Sequence, residues 1–144
     1  NKAYNSNPNH PFVLWIYGRI LLRYGNLESG IKILEQLYER EPIPMSDINA
    51  DRMNRELFLA YYLDKDYKKC EETFNKINEC TFREWLINID IKIKQNKDYA
   101  QDNWFVSGIE RFNNLDKEKE ISLFHLNNKF ISNELKNLSQ KVFA

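Results

Sequence analysis

Residues 10–42 read HPFVLWIYGRILLRYGNLESGIKILEQLYEREP, and this stretch decides the fold. Pro11 stands where a helix begins, because the first-turn N–H it lacks has no partner there. Pro42 stands where a helix must stop. Between them, Gly25-Asn26 marks a tight turn. The spacing therefore predicts two amphipathic helices, about Pro11–Tyr24 and about Leu27–Arg40. The second carries Ile31, Leu34, Leu37 and Tyr38 on one face. One such pair cannot bury its own apolar side, so it requires helices stacked beside it.

Working outward, the same design recurs. Glu41-Pro42-Ile43-Pro44 breaks the chain, and Ser46 or Asp47 opens a third helix to about Leu63. Asp64-Lys65-Asp66 is a polar turn before a fourth helix, about Tyr67–Asn78. Thr81 and Glu84 form a capping box for a fifth, ending near Gln95. Asn96-Lys97-Asp98 turns into a sixth, about Tyr99–Phe112. After Asn113-Asn114 a final helix is expected over about 116–142, with Asn127-Asn128 placed to kink or split it. The turns recur 40 and then 32 residues apart. The expected organisation is a flexible leader or linker over 1–9 and a helical-repeat domain over 10–144. Its pairs cover about 11–40, 47–80 and 82–112.

Composition narrows the function classes. The 144 residues carry 21 basic and 21 acidic side chains, so the chain lacks the broad positive field of a nonspecific nucleic-acid binder. Four glycines and four prolines are too few for a many-stranded β protein. Cys70 and Cys80 have no CxxC arrangement and read as reduced thiols of an intracellular protein, cytoplasmic or nuclear. No apolar run is long enough for a membrane span, and residues 1–10 have no signal-peptide core. The missing initiator Met suggests a piece of a longer chain.

No catalytic motif stands out: there is no phosphate-cradling glycine loop, no GxSxG and no HExxH. His10 and His125 are the two histidines, too far apart in sequence to suggest a metal site or triad. Cys80 beside Thr81 reads as a helix-end packing residue. Asn137-Leu138-Ser139 matches a glycosylation sequon by chance in an Asn-rich chain. No enzyme activity, cofactor or metal is expected.

Leu14, Gly18, Leu21, Gly25, Gly30, Leu34, Leu37 and Pro42 resemble the tetratricopeptide-repeat pattern. A looser match covers 47–80 (Asn54, Phe58, Tyr61, Lys65, Cys70, Phe74, Ile77). A third covers 82–112 (Leu86, Asp90, Ile93, Lys97, Asp102, Val106, Ile109). The resemblance implies an all-α fold, a short α-solenoid of antiparallel helix pairs with a C-terminal capping helix. In that family the first helix of each pair lines a concave groove. The implied lining is Phe12, Trp15, Arg19, Leu22 and Arg23, then Arg52, Arg55, Leu59, Tyr62 and Leu63, then Ile87, Ile91 and Lys94. Within it, Trp15, Arg19, Arg23, Arg52, Arg55 and Tyr62 have the composition of a binding hot spot. They suit a protein or peptide partner with acidic and apolar side chains. The plainer alternative packs Trp15 and Tyr62 inside and leaves the arginines solvated.

Ile131, Leu135, Leu138 and Val142 form an apolar stripe on the final helix. It either caps the last pair or docks a partner subunit. The family's chaperone-tail clamp would fall on Trp15, Arg19, Glu56, Glu84 and Asn88, of which one is basic and two are acidic, so no such clamp is expected. The functional expectation is a non-catalytic interaction module or a scaffold subunit of a larger complex. The alternatives are a regulatory peptide-sensing domain of a longer protein and an RNA-binding helical repeat, against which the neutral charge argues.

Overall fold

Most helix ends in this computed structural model of the chain are set by a side chain or turn a few residues away. The structure describes residues 10–39, 50–122 and 129–144, except the side chains of 118, 122 and 129–132. The described residues form eight α-helices and no strand. The fold is all-α.

Helix α1 spans Pro11–Tyr24. His10 Nδ1 accepts the Phe12 N–H at 3.2 Å, and Pro11 occupies the first turn. At the far end Gly25 donates its N–H to Leu21 O, and Asn26 Oδ1 at once caps α2, Leu27–Tyr38, by accepting from Ser29 N at 3.1 Å. Helix α3 is Ala50–Leu63 and α4 is Tyr67–Phe74. Asp66 Oδ1 caps α4 through the Lys69 N–H.

Helix α5, Phe82–Lys94, opens with the expected capping box. Thr81 Oγ1 accepts from Glu84 N, and Glu84 Oε1 accepts from Thr81 N at 2.8 Å. Helix α6 is Asn103–Phe112, α7 is Lys117–Ser122 and α8 is Lys129–Val142.

Two boundaries differ from expectation. Helix α4 ends at Phe74 rather than near Asn78, because Lys76 and Ile77 donate to the tighter Thr73 and Phe74 carbonyls. Asn78 is drawn onto α3: its N–H goes to Asp51 Oδ1 at 3.0 Å and its carbonyl accepts from Arg55. Helix α6 starts at Asn103 rather than Tyr99. Its cap residue Asp102 accepts from Trp104 Nε1, while the Tyr99 ring meets Phe105 edge-on at 5.0 Å. The run over about 116–142, where a single helix or one kinked or split at Asn127-Asn128 was expected, is two helices, α7 and α8, packed against one another. The 1–9 leader, Pro42 and its neighbours, the Ser46 or Asp47 cap, His125 and Asn127-Asn128 lie outside the described residues.

Helices α3 and α5 end in the same way. Lys65 and Asn96 take left-handed φ values of 61° and 54°. Asp66 N then reaches Tyr61 O and Lys97 N reaches Lys92 O, each at 2.9 Å, while Lys65 N and Asn96 N bond Tyr62 O and Ile93 O. This is a Schellman closure built without glycine.

The chain divides into two compact units, Asn1–Asn78 and Glu79–Ala144. In the first, α1 packs on α2, α2 on α3 and α3 on α4. Leu14, Ile31, Leu34, Leu37, Met53, Leu57 and Phe58 are its buried apolar centre. The α1–α2 contact is close because two glycines meet there. A Cβ on Gly30 would lie 3.0 Å from both Gly18 O and Leu22 N; one on Gly18 would lie 2.8 Å from Leu34 Cδ2. Phe58 is fully buried and its ring lies 5.6 Å from that of Phe74.

In the second unit α5 is the axis, packed by α6, α7 and α8. Phe82, Trp85, Leu86, Ile87, Ile89 and Ile91 are all buried along it, with Glu84 and Asn88, so α5 is covered on most of its sides. Trp85 stacks on Phe105 at 5.5 Å, touches Phe112 and Phe143, and donates Nε1 to Trp104 O at 3.1 Å. The indole lies over Gly108, where a side chain would collide with it.

Candidate functional site

The first unit gathers four of the six expected partner-binding residues. Trp15 is 3% exposed, and the guanidiniums of Arg19 and Arg52 lie over its ring at 5.1 and 5.6 Å. Arg19 Nε donates to Glu56 Oε1 at 3.0 Å. Arg23 Nη2 reaches both Glu56 oxygens, at 3.0 and 3.2 Å, and its Nη1 donates to Arg19 O. The i,i+4 spacing of the two arginines puts them on one face of α1, and α3 supplies the carboxylate that joins them. The indole thus carries cations on its face and the carboxylate takes up their charge.

The other two residues have different surroundings. Arg55 Nε donates to Asp51 Oδ2 at 2.9 Å and its Nη2 to Asn78 O, which fastens the start of α3 to the segment after α4. Burial pushes the Asp51 carboxyl up, but the Asn78 N–H and Arg55 outweigh it and hold it below its ordinary value. Tyr62 is 4% exposed, part of the packed interior. Of the residues that the resemblance implies for the third helix pair, Ile87 and Ile91 are fully buried. Of the clamp positions, Glu84 is buried and serves the Thr81 capping box, Glu56 serves the arginines, and Asn88 is buried.

Four apolar residues of α1 stay exposed. Phe12, Ile16, Ile20 and Tyr24 are between 36% and 75% exposed. They recur every four residues, a step that turns about 40° around a helix, so they form one slowly winding stripe along α1. Leu14 and Gly18 hold the other side of the helix in the core. The signal that points to the stripe is that α1 is apolar on almost all sides, more than one core-facing side requires. Phe12 was on the sequence-derived groove list; Ile16, Ile20 and Tyr24 were not.

In the second unit Leu135 is fully buried, and α8 packs on α5 and α7. Leu138 and Val142 are half-buried, and the Ile131 side chain lies outside the described residues. Cys70 and Cys80 are free thiols; Cys70 is buried, which pushes its pKa up to about 12. Among the described residues no cluster of three or more His, Cys, Asp or Glu could hold a metal ion. No described helix is long and apolar enough to cross a membrane.

No family model, curated protein or solved structure matches the chain.

Proposed function

We propose that this chain is a non-catalytic protein-binding module, a tetratricopeptide-like array of helix pairs whose α1 face takes up a partner segment. The observation that carries this reading is the stripe of Phe12, Ile16, Ile20 and Tyr24, exposed at four-residue intervals along one helix. Apolar side chains left in water over three turns of a helix are a cost unless another surface covers them. Beside the stripe lies the Arg19–Arg23–Glu56 group with Arg52 over Trp15. A partner with an apolar edge and flanking carboxylates fits: the apolar edge covers the stripe, and its carboxylates exchange with Glu56 on the two guanidiniums. An amphipathic helix presents residues in this pattern.

The test is affinity capture of partners on the intact chain, repeated with two double variants. Ile16→Asp/Ile20→Asp alters exposed positions and should abolish capture while leaving the thermal unfolding curve in place. Arg19→Glu/Arg52→Glu should weaken capture and reduce its salt dependence. A partner retained by both variants refutes the reading.

A further inference from the structure

A cavity of about 220 Å³ lies between α2, α3 and α4, wholly within the first unit. It sits beside Asn54, a polar residue where the first helix pair has an apolar one. Asn54 stands eleven residues before the Lys65 turn, as Leu14 stands eleven before Gly25. Leu14 is buried in the core; Asn54 brings a smaller, polar group to the corresponding place. Its side chain lines the cavity at 5% exposure and makes no hydrogen bond among the described residues. Its amide is therefore open to a partner within the cavity.

The rest of the wall indicates what kind of partner. Two tyrosine rings already hold ammonium groups: Lys69 Nζ lies 5.4 Å from the centre of Tyr61 and Lys76 Nζ 5.7 Å from that of Tyr38. Glu35 Oε2 accepts from Tyr61 Oη at 2.6 Å and from Lys69 Nζ at 3.3 Å, so that carboxylate is engaged. Burial, and then the Glu35 carboxylate, push the Tyr61 phenol above its ordinary pKa, which keeps it a donor. Glu39 and Glu72 also line the cavity and make no ion pair among the described residues. Acceptors therefore outnumber donors, and three carboxylates face two ammoniums. An anion would meet Glu39 and Glu72; a cation meets carboxylates, an amide oxygen and aromatic faces.

We infer that this cavity binds an organic cation, an alkylguanidinium or alkylammonium group, carried by a small molecule or by a basic side chain of a peptide. The incoming group takes the Tyr38 ring from Lys76, which is exposed and free to swing into water. Its N–H groups donate to Glu39, Glu72 and the Asn54 carbonyl oxygen. The site shares no residue with the α1 face, so its failure and that of the partner-binding reading are separable.

The test is an NMR titration of the intact chain at low salt, following the Tyr38 and Tyr61 ring signals and the Asn54 side-chain amide. The probes are n-butylguanidinium, n-butylammonium, acetate and a capped Ala-Arg-Ala peptide. Saturable shifts of all three groups are expected with the cations and not with acetate. Tighter binding of the peptide assigns the cation to a protein side chain; tighter binding of butylguanidinium assigns it to a small molecule. Lys76→Ala should tighten cation binding about two- to fivefold, the worth of one exposed ammonium–ring contact. Asn54→Leu should abolish binding, and Glu72→Gln, an exposed change that leaves the fold alone, should weaken it. Acetate binding that is lost in Lys76→Ala overturns the inference. So does the absence of saturable shifts with both cations, or unchanged affinity in Glu72→Gln.

Discussion

Replacing Gly30 with alanine should destabilise the first unit, although intrinsic helix propensity alone predicts the opposite. Gly30 is in α2, in a helical conformation that alanine prefers by about 1 kcal/mol. The new Cβ, however, would lie 3.0 Å from Gly18 O and 3.0 Å from Leu22 N, and 2.9 Å from Leu22 Cδ2. The first two are main-chain atoms of α1 and cannot rotate away, so the helices must separate. Overpacking of this kind costs about 1–3 kcal/mol, and a contact with fixed backbone belongs at the upper end. The net expectation is a loss of about 1–2 kcal/mol, roughly 5–10 °C in Tm for a unit of this size.

Gly18→Ala meets Leu34 Cδ2 at 2.8 Å, the far end of a side chain. Leu34 is fully buried and has little room to yield, so the net loss is smaller, about 0–1 kcal/mol. The double variant should cost less than the sum, because one separation of α1 from α2 relieves both collisions. Urea unfolding followed by circular dichroism measures all three. A Gly30→Ala chain as stable as the parent, or losses that add in full, would show that the helices are not held at this distance by their glycines.

Two further predictions concern helix ends and alkaline pH. Lys65→Gly and Asn96→Gly remove side chains from left-handed backbone, and each should raise stability by about 0.5–1 kcal/mol, the lysine replacement more; a lowered urea midpoint for either would contradict the Schellman assignment. Cys70 holds its proton more tightly folded than unfolded, with its pKa raised from 9.0 to about 12, chiefly by burial. Its contribution is therefore full below about pH 9 and is lost as pH rises toward 12, a fall of order 4 kcal/mol across the whole window. Between pH 9 and 10 the urea midpoint should fall for the parent and stay flatter for Cys70→Ala; parallel curves would reject the link.

Where a boundary depends on neighbours in the chain, it was legible. His10, Pro11, Gly25 and Asn26 place α1 and the start of α2 because each cap reaches only a few residues. The Thr81–Glu84 box is equally local. The end of α4 was not legible, because Asn78 gives its N–H to Asp51, twenty-seven residues back, instead of continuing a helix. For the final 116–142 run the Asn127-Asn128 pair marked a place to kink or split, but helical periodicity continues through α7 and α8 and does not register that they pack on one another.

The candidate site divides in the same way. The i,i+4 placement of Arg19 and Arg23 on one helix face follows from the sequence. Their charge is met by Glu56, thirty-seven and thirty-three residues away, and that pairing has no sequence signal. Trp15 and Tyr62 could be read from the sequence as groove or as interior residues and are buried, whereas Ile16 and Ile20, to which the sequence attached no role, face water. Periodicity counts the apolar sides of a helix without saying how many of them will find a neighbour.

The sequence by itself determined an all-α chain, the caps and turns of its first helices, and the glycines through which α1 and α2 approach. All of these rest on interactions within a turn or two of helix. Only the tertiary structure decided which apolar side of α1 stays exposed, which carboxylate holds the arginines, and that Asn54 lines a cavity. Those outcomes depend on which helices pack together, and that is settled by burial summed over contacts far apart in the chain.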